Sequence, residues 1–300
     1  MIYEASVHSG GEIVGLSRCP DCLTYFTRPR LVDHNVDPRV ASYEYIVEKY
    51  GGFARENRFH KNGNYRLYLS LAKAHLNRSD RDAPYSVLDI GSHCGFFVRY
   101  ASENGWNAFG VEPAPPPVRF AREMNGVETL EEGFFDEGTH RSMSFDLVTM
   151  FDVLEHVPDP VPLLQKVRAR LTSGGLVLCK VPHVRFYLGF RRTVEALSAA
   201  GLLPSFPTFT SEPPPESRSS EVPPFFDLFE HVVHYDENAV RAVFGRAGFA
   251  NWRLLPAPPT NPPGDHLNVA RSAFYRLSRV AHGVTGRHGR LTHGLIILAW

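Results

Sequence analysis

The sequence lacks several features that would assign the chain to a specialised class of protein. No run reaches the ~18 consecutive apolar residues that a membrane-spanning helix needs, so we expect no membrane span. The 32 Lys and Arg residues equal the 32 Asp and Glu residues, so there is no overall positive charge to favour a nucleic-acid partner. Four cysteines in 300 residues do not make a disulfide scaffold. With no apolar leader-like segment at the start, these observations predict a cytoplasmic protein.

The composition is that of a folded chain, with 43% hydrophobic and 12% aromatic residues. Its length predicts one large or two modest domains. The 24 prolines are clustered, and seven of them fall within residues 204–224. Such a segment cannot build a core, which predicts a loop or lid.

Apolar runs alternate with helical patterns from residue 85 onward. We predict strands at 85–90, 106–111, 127–130, 145–151 and 176–181, with helices at 96–104, from about 118, and at 161–171. Further along we predict helices at 236–247 and 269–281, and strands at 249–255 and 291–300. Two helices are expected within residues 38–78. The alternation predicts an α/β fold whose parallel sheet is covered on both faces.

A glycine loop follows the first of these strands. Asp89 and Ile90 end the strand, Gly91 permits a tight turn, and Gly95 opens the next helix, so a ligand can approach the backbone there. Glu112 ends the second strand, where a carboxylate can accept hydrogen bonds from ribose hydroxyls. Nicotinamide and S-adenosylmethionine sites share this pattern.

Two positions argue against a nicotinamide cofactor. The dinucleotide pattern GxGxxG has glycines where this chain has His93 and Phe96. Residues 87–97 instead resemble motif I of the class I S-adenosylmethionine-dependent methyltransferases. Residues 144–160, which contain Glu155 and His156, resemble the fourth-strand signature of that family. The resemblance covers residues 85–182 well and 225–300 more loosely.

The resemblance implies a Rossmann-like, seven-stranded, mostly parallel sheet with helices on both faces, an antiparallel last strand and a small N-terminal cap. It also implies that S-adenosylmethionine is the cofactor and a small molecule the methyl acceptor. We predict a ribbon-like segment at 1–37, a helical cap or linker at 38–84, and the cofactor-binding core at 85–182. A Pro-rich acceptor lid then occupies 183–235, and the core is completed by 236–300.

The resemblance also implies a set of cofactor-binding residues. Gly91 would hold the methionine moiety through its backbone, Glu112 the ribose, and Phe134 would stack on adenine, with Asp136 as a displaced acidic partner. Core packing is the alternative for Phe134, and an exposed helix arginine is the alternative for Arg66, which would bind the cofactor carboxylate. The complete predicted set is Arg66, Asp89, Gly91, Gly95, Glu112, Phe134 and Phe151. The family usually has glycine in place of His93, whose side chain must therefore turn outward.

Two Glu-His pairs are candidates for the catalytic base. Glu230 and His231 follow the Pro-rich segment and resemble a segment of sugar C-methyltransferases, which favours His231 as base with Glu230 orienting it. His156, beside Glu155, is the second candidate. A purely structural role is the alternative for each pair.

Cys19 and Cys22 are spaced as in a zinc knuckle and resemble the second half of a zinc ribbon. Four ligands are normally required, and Cys94 and Cys179 are expected to be buried apolar residues. Zinc is therefore possible, but we predict no metal.

We expect a methyltransferase for a sugar, sugar nucleotide or secondary metabolite, acting at oxygen or carbon. One alternative is an NAD(P)-dependent oxidoreductase or epimerase. The other is a non-catalytic partner subunit that binds S-adenosylmethionine.

Overall fold

The structure is a computed structural model, and it describes residues 8–9, 12–13, 15–28, 42–55, 62–76, 83–135, 139–202, 231–259, 268–285 and 292–300. Before residue 83, the described part of the chain contains four short strands and two helices. These are β1 (His8–Ser9), β2 (Glu12–Ile13), β3 (Gly15–Arg18), β4 (Tyr25–Arg28), α1 (Tyr43–Arg55) and α2 (Asn62–Leu76).

The remaining chain alternates strands and helices. Its elements are β5 (Ser86–Ile90), α3 (Phe96–Glu103), β6 (Asn107–Glu112), α4 (Pro115–Glu123), β7 (Leu130–Glu132), β8 (Phe145–Phe151), α5 (Pro160–Ala169), β9 (Leu171–Pro182), α6 (Val184–Ala199), β10 (Val233–His234), α7 (Glu237–Arg246), β11 (Trp252–Pro256), α8 (Asn268–Thr285) and β12 (Gly294–Ala299). In the described part of the chain, no helix combines the length and apolar character that crossing a bilayer requires.

Seven strands form one sheet in the order β11-β12-β9-β8-β5-β6-β7. The pairs from β9 through β7 are parallel, whereas β12 is antiparallel to both β9 and β11. This confirms the predicted Rossmann-like fold and its antiparallel last strand. Because the parallel strands share one direction, the carboxyl ends of β5, β6, β8 and β9 meet at one edge of the sheet.

Each face of the sheet carries its own apolar core. Buried side chains of α1 to α4 pack on one face, among them Ile46, Tyr68, Phe97 and Phe120. Side chains of α5 and α7 pack on the other face. The strands between them are apolar on both sides, as a doubly covered parallel sheet requires.

The structure corrects two predicted boundaries. Helix α4 begins at Pro115 rather than near residue 118. Prolines are tolerated in the first turn because backbone N–H groups there have no partner within the helix, so the N–H that proline lacks breaks no hydrogen bond. Helix α5 ends at Ala169, and β9 already begins at Leu171. Residues 173–175 lie at an irregularity of this strand, where the pairing register with β8 shifts.

Helix α6 was not predicted. Its 16 residues lie in the segment 183–235 that we predicted to be an acceptor lid. These 16 residues contain no proline and can form a helix. The predicted loop was inferred from the prolines that follow them, at 204–224, and does not apply to them. The Pro-rich stretch 204–224 itself lies outside the described residues.

The hairpin of β3 and β4 pairs with β10 to form a separate three-stranded antiparallel sheet. The hydroxyl of Thr27 in β4 donates a 2.7 Å hydrogen bond to the carbonyl oxygen of His231. The predicted ribbon-like segment therefore packs against the C-terminal end of the predicted lid, residues 231–234.

The junction of α6 and α7 provides a test of the fold. Asp236 is fully buried, caps α7 by accepting a 2.9 Å hydrogen bond from the Ala239 amide, and pairs with Arg185 at 2.8 Å. We expect Asp236→Ala to lower the free energy of unfolding by about 1–3 kcal/mol, because it removes the cap and the partner of Arg185.

Asp159 is a matched control, since it occupies the same position at α5 but makes no side-chain capping bond. Asp159→Ala should change stability by less than about 0.5 kcal/mol. Urea unfolding monitored by circular dichroism measures both. Equal effects of the two substitutions would contradict the role given to Asp236.

Candidate functional site

The loop between β5 and α3 is held in a left-handed backbone conformation. Gly91, His93 and Gly95 have φ values of +71°, +48° and +70°. A Cβ atom on Gly91 would lie 2.5 Å from Cγ2 of Val153, so glycine is required there by packing as well as by φ. The Ser92 hydroxyl donates a 2.6 Å hydrogen bond to the Asp89 carbonyl, which closes the turn.

Glu112 fixes this loop from the neighbouring strand. Its side chain is only 8% exposed, and its two carboxylate oxygens accept hydrogen bonds from the amides of His93 (2.9 Å) and Ala114 (3.0 Å). Burial raises the pKa of this carboxyl group, while the two amides act in the opposite direction. The carboxylate is therefore set at the carboxyl edge of the sheet, directly beside the glycine loop.

A cavity of about 770 Å³ lies at this edge, a size typical of small-molecule sites. Its lining comes from the carboxyl ends of the central strands, from the loops that follow them, and from α1 and α2. The lining includes Tyr50, Tyr65, Tyr68, Asp89, Gly91, His93, Phe97, Glu112, Phe134, Phe151, Asp152, His156 and Lys180.

The structure brings most of the predicted site residues to this cavity. They are Asp89, Gly91, Glu112, Phe134, Phe151 and His156. Phe134 is 66% exposed at the rim, so it is not a core residue. The carboxylate of Asp89 accepts a 2.6 Å hydrogen bond from the Thr149 hydroxyl, which holds it in place at the end of β5.

Other predicted residues lie elsewhere. Arg66 is on the exposed side of α2 and does not line the cavity. Gly95 lies behind the loop, where a Cβ atom would contact side chains of α4 and β7 at 3.2–3.3 Å, so its role is close packing. Asp136 and Glu230 lie outside the described residues.

The two predicted Glu-His segments meet in space. The rings of His156 and His231 are in edge contact at 4.9 Å, and ligand atoms of Glu155, His156 and His231 all lie within 4.8 Å of one another. Only His156 of these three lines the cavity. Such a group could act on a proton or hold a divalent cation.

His234 is the neutral neighbour of this group. It is buried, its Nε2 lies 2.9 Å from the Thr27 hydroxyl, and its ring centre is 6.4 Å from that of His231. Burial, with a smaller contribution from the charge of His231, lowers the pKa of His234 to about 3. This imidazole therefore stays neutral near neutral pH and serves to hold Thr27 and the His231 segment.

Sequence reasoning missed the aromatic and ionic parts of the lining. Tyr68 stacks on Phe151 with ring centres 4.5 Å apart, and Lys180 forms an ion pair with Asp152. Helical spacing marks Tyr68 only as a core residue. A lysine near the end of an apolar parallel strand was the one signal that could have identified Lys180.

His93, which departs from the family pattern, does not fill the cavity. Its ring lies edge-on to Tyr50 of α1 at 5.3 Å, and the cavity of about 770 Å³ is present with that ring in place.

Cys19 and Cys22 lie in the turn between β3 and β4, where Leu23 has a φ of +60° and the Leu23 amide donates to the Cys19 carbonyl. Burial acts to raise the pKa of the Cys22 thiol, but hydrogen bonds from Thr24 and Cys19 outweigh it and lower that pKa. Among the described side chains, no third His, Cys, Asp or Glu joins this pair within ligand distance.

A family model described as a methyltransferase domain matches residues 54–254, which is more than half of the chain. The chain therefore belongs to the methyltransferase-domain family. This confirms the resemblance to the class I S-adenosylmethionine-dependent methyltransferases and argues against the nicotinamide-dependent alternative.

Two relatives and one solved structure illustrate the match. The chain is 28% identical over 119 residues to the ubiquinone biosynthesis O-methyltransferase of Actinobacillus pleuropneumoniae serotype 5b (strain L20), which covers 37% of this chain and about half (47%) of that protein. The protein of the same name from Shewanella pealeana is 26% identical over 225 residues, covering 69% of this chain and 86% of that protein. A SAM-dependent methyltransferase from Archaeoglobus fulgidus is 14% identical with a TM-score of 0.48, covering 86% of this chain and 99% of that one.

The cofactor of this family is S-adenosylmethionine, and the residues present fit it. The carboxylate of Glu112 offers acceptors for a ribose diol, and the glycine loop leaves the backbone open to a ligand. Phe134 offers an exposed ring at the rim.

Glu112 provides the test of this site. We expect Glu112→Gln to weaken binding of S-adenosylhomocysteine by about 10- to 100-fold. The glutamine side chain has no negative charge, and its NH₂ group would face a backbone N–H donor, either that of His93 or that of Ala114. Isothermal titration calorimetry measures the change.

Glu132 is the matched control, since it is the exposed register partner of Glu112 at the end of β7. Glu132→Gln should leave the affinity within about twofold of the wild type, as expected for a surface substitution. Equal losses in both variants would contradict the assignment of Glu112.

Proposed function

We propose that the chain is an S-adenosylmethionine-dependent methyltransferase that acts on a hydroxyl group of a small-molecule acceptor. The observation that carries the proposal is the single cavity that joins Gly91 and Glu112 to an imidazole and a set of aromatic rings. The coarser assignment, a methyltransferase domain, rests on the family match.

When bound, S-adenosylmethionine supplies an activated methyl group on a sulfonium. The residues of this chain then have to hold the cofactor, align the acceptor, exclude water and accept a proton. The Gly91 backbone and Glu112 would hold the cofactor, and the rings of Tyr65, Tyr68 and Phe151 would exclude water from the reacting atoms.

The proton acceptor in this proposal is His156. Sequence reasoning favoured His231, but His156 lines the cavity, whereas His231 does not line it and contacts the ring of His156. A base must lie within reach of the proton that it removes. His231, held through its carbonyl by Thr27, would position His156.

Two observations favour a ring-bearing acceptor that is methylated at oxygen. The cavity is lined by the aromatic side chains of Tyr50, Tyr65, Tyr68, Phe97 and Phe151. The relatives at 26–28% identity are named O-methyltransferases. Sugars also stack on aromatic rings, so a sugar or sugar nucleotide is the alternative acceptor, with carbon as the alternative methylated atom.

Cofactor binding is the first test. We expect the purified chain to bind S-adenosylmethionine with a micromolar dissociation constant and to show no heat of binding with NAD⁺ or NADP⁺ in calorimetry, because Phe96 and His93 replace the dinucleotide glycines. Binding of a nicotinamide cofactor alone would contradict the proposal.

Substitution of His156 is the second test. Acceptors are found by screening hydroxylated aromatic compounds, sugars and sugar nucleotides for release of S-adenosylhomocysteine. With the best acceptor, His156→Asn should lower kcat by about 10²-fold while cofactor affinity is unchanged, because the base is lost.

His75→Asn is the control, since this ring lies on α2 against Trp300 and outside the cavity lining. It should leave kcat unchanged. Cofactor binding with no methylation of any screened compound would instead support the non-catalytic alternative.

A further inference from the structure

Lys180 is a mostly buried charge in an otherwise apolar part of β9. Its side chain is 12% exposed and lines the cavity, near the carboxyl end of the strand. The neighbouring residues Cys179 and Val181 are fully buried, so the strand places one cation among apolar side chains. A buried charge is costly unless it is paired, and here the partner is Asp152.

Asp152 is held in a strained conformation that keeps this pair at the cavity. Its φ is +59°, in the left-handed region that non-glycine residues rarely adopt. Its backbone amide donates a 2.9 Å hydrogen bond to the carbonyl oxygen of Lys180, so the two residues are joined by backbone as well as by side chain. Backbone strain of this kind persists where the surrounding structure imposes it, and it concentrates at functional sites.

We propose that Lys180 is a further catalytic residue, whose ammonium group binds the acceptor oxygen and stabilises the negative charge that develops there as the proton leaves. This inference rests on the proposed function and adds a residue to it. It also names the acceptor as a compound with an ionisable hydroxyl group.

The charge state of Lys180 suits this role rather than that of a base. Burial acts to lower its pKa, but the charge of Asp152 and the hydrogen bond to it outweigh that effect and raise the pKa. The other ionisable groups that interact with Lys180 are Glu155, which also favours its charged form, and Tyr187 of α6, whose own pKa is raised mainly by burial. Lys180 therefore remains a cation near neutral pH.

Geometry allows Lys180 to hold Asp152 and an acceptor together. An ammonium group has three N–H donors, and the ion pair with Asp152 engages one of them. His156 lines the same cavity, so one group can accept the proton while the other stabilises the oxygen.

The proposed step balances as follows. The acceptor oxygen gives its proton to the His156 imidazole and forms a bond to the transferred methyl carbon. The carbon–sulfur bond breaks and its electron pair goes to sulfur, and the imidazolium then releases its proton to solvent.

The test uses 4-nitrocatechol, a phenol whose visible absorbance reports its ionisation. The dye is titrated with pH in the complex of the whole chain with S-adenosylhomocysteine. We expect the bound dye to ionise about 1–3 pH units higher in Lys180→Met than in the wild type, because the adjacent cation is lost. Lys180→Arg should keep most of the wild-type behaviour.

Lys180→Gln is a second neutral variant, used if Lys180→Met does not retain the nucleoside. Lys73→Met, on the exposed side of α2, is the matched control and should not move the titration. Unchanged ionisation in the neutral variants, or a wild-type complex that does not bind the dye, would overturn the role of Lys180. A wild-type chain that fails to bind S-adenosylhomocysteine would instead overturn the proposed function itself.

Discussion

The hydrogen bond from the His93 amide to the Glu112 carboxylate is the interaction on which the site depends. It joins the loop after β5 to the end of β6 and holds a non-glycine residue at φ +48°. Because the Ala114 amide binds the other oxygen, the carboxylate cannot turn away from the loop. A histidine can therefore occupy this position, where the family usually has glycine. Its ring packs against Tyr50 at the cavity wall and leaves the cavity open.

Strand order explains why the chemistry lies where it does. The parallel strands β5, β6, β8 and β9 end at one edge, which collects Gly91, Glu112, Asp152 and Lys180. Helices α1 and α2 cover this edge with tyrosines, and Tyr68 stacks on Phe151. The hairpin of β3 and β4 adds support from another side, since Thr27 holds the chain at His231. Segments far apart in the sequence therefore complete one cavity.

Much of the fold could be predicted because its signals are local. The strand 145–151 was predicted from its largely apolar run with the bounds that the structure has, and six of its seven residues are fully buried there. Helix α6 was missed because a proline-rich neighbour dominated the composition of its segment. Arg66 was predicted at the cofactor from the resemblance, but α2 turns its other side, with Tyr65 and Tyr68, toward the cavity. Arg66 and Tyr65 are adjacent in the chain and point about 100° apart around the helix axis. Spacing alone does not say which neighbour each of these helix faces will meet.

The α/β class, the glycine loop and the acid at the end of the second strand could all be predicted from local sequence patterns. These depend on turn chemistry and on apolar periodicity, which act within a few residues. Three features became visible in the folded chain alone: His156 contacts His231 and lines the cavity, Lys180 pairs with Asp152, and Gly95 serves close packing. Such pairs depend on strand order and on how the layers pack, and both arise from burial of apolar surface over the whole chain rather than from any local pattern.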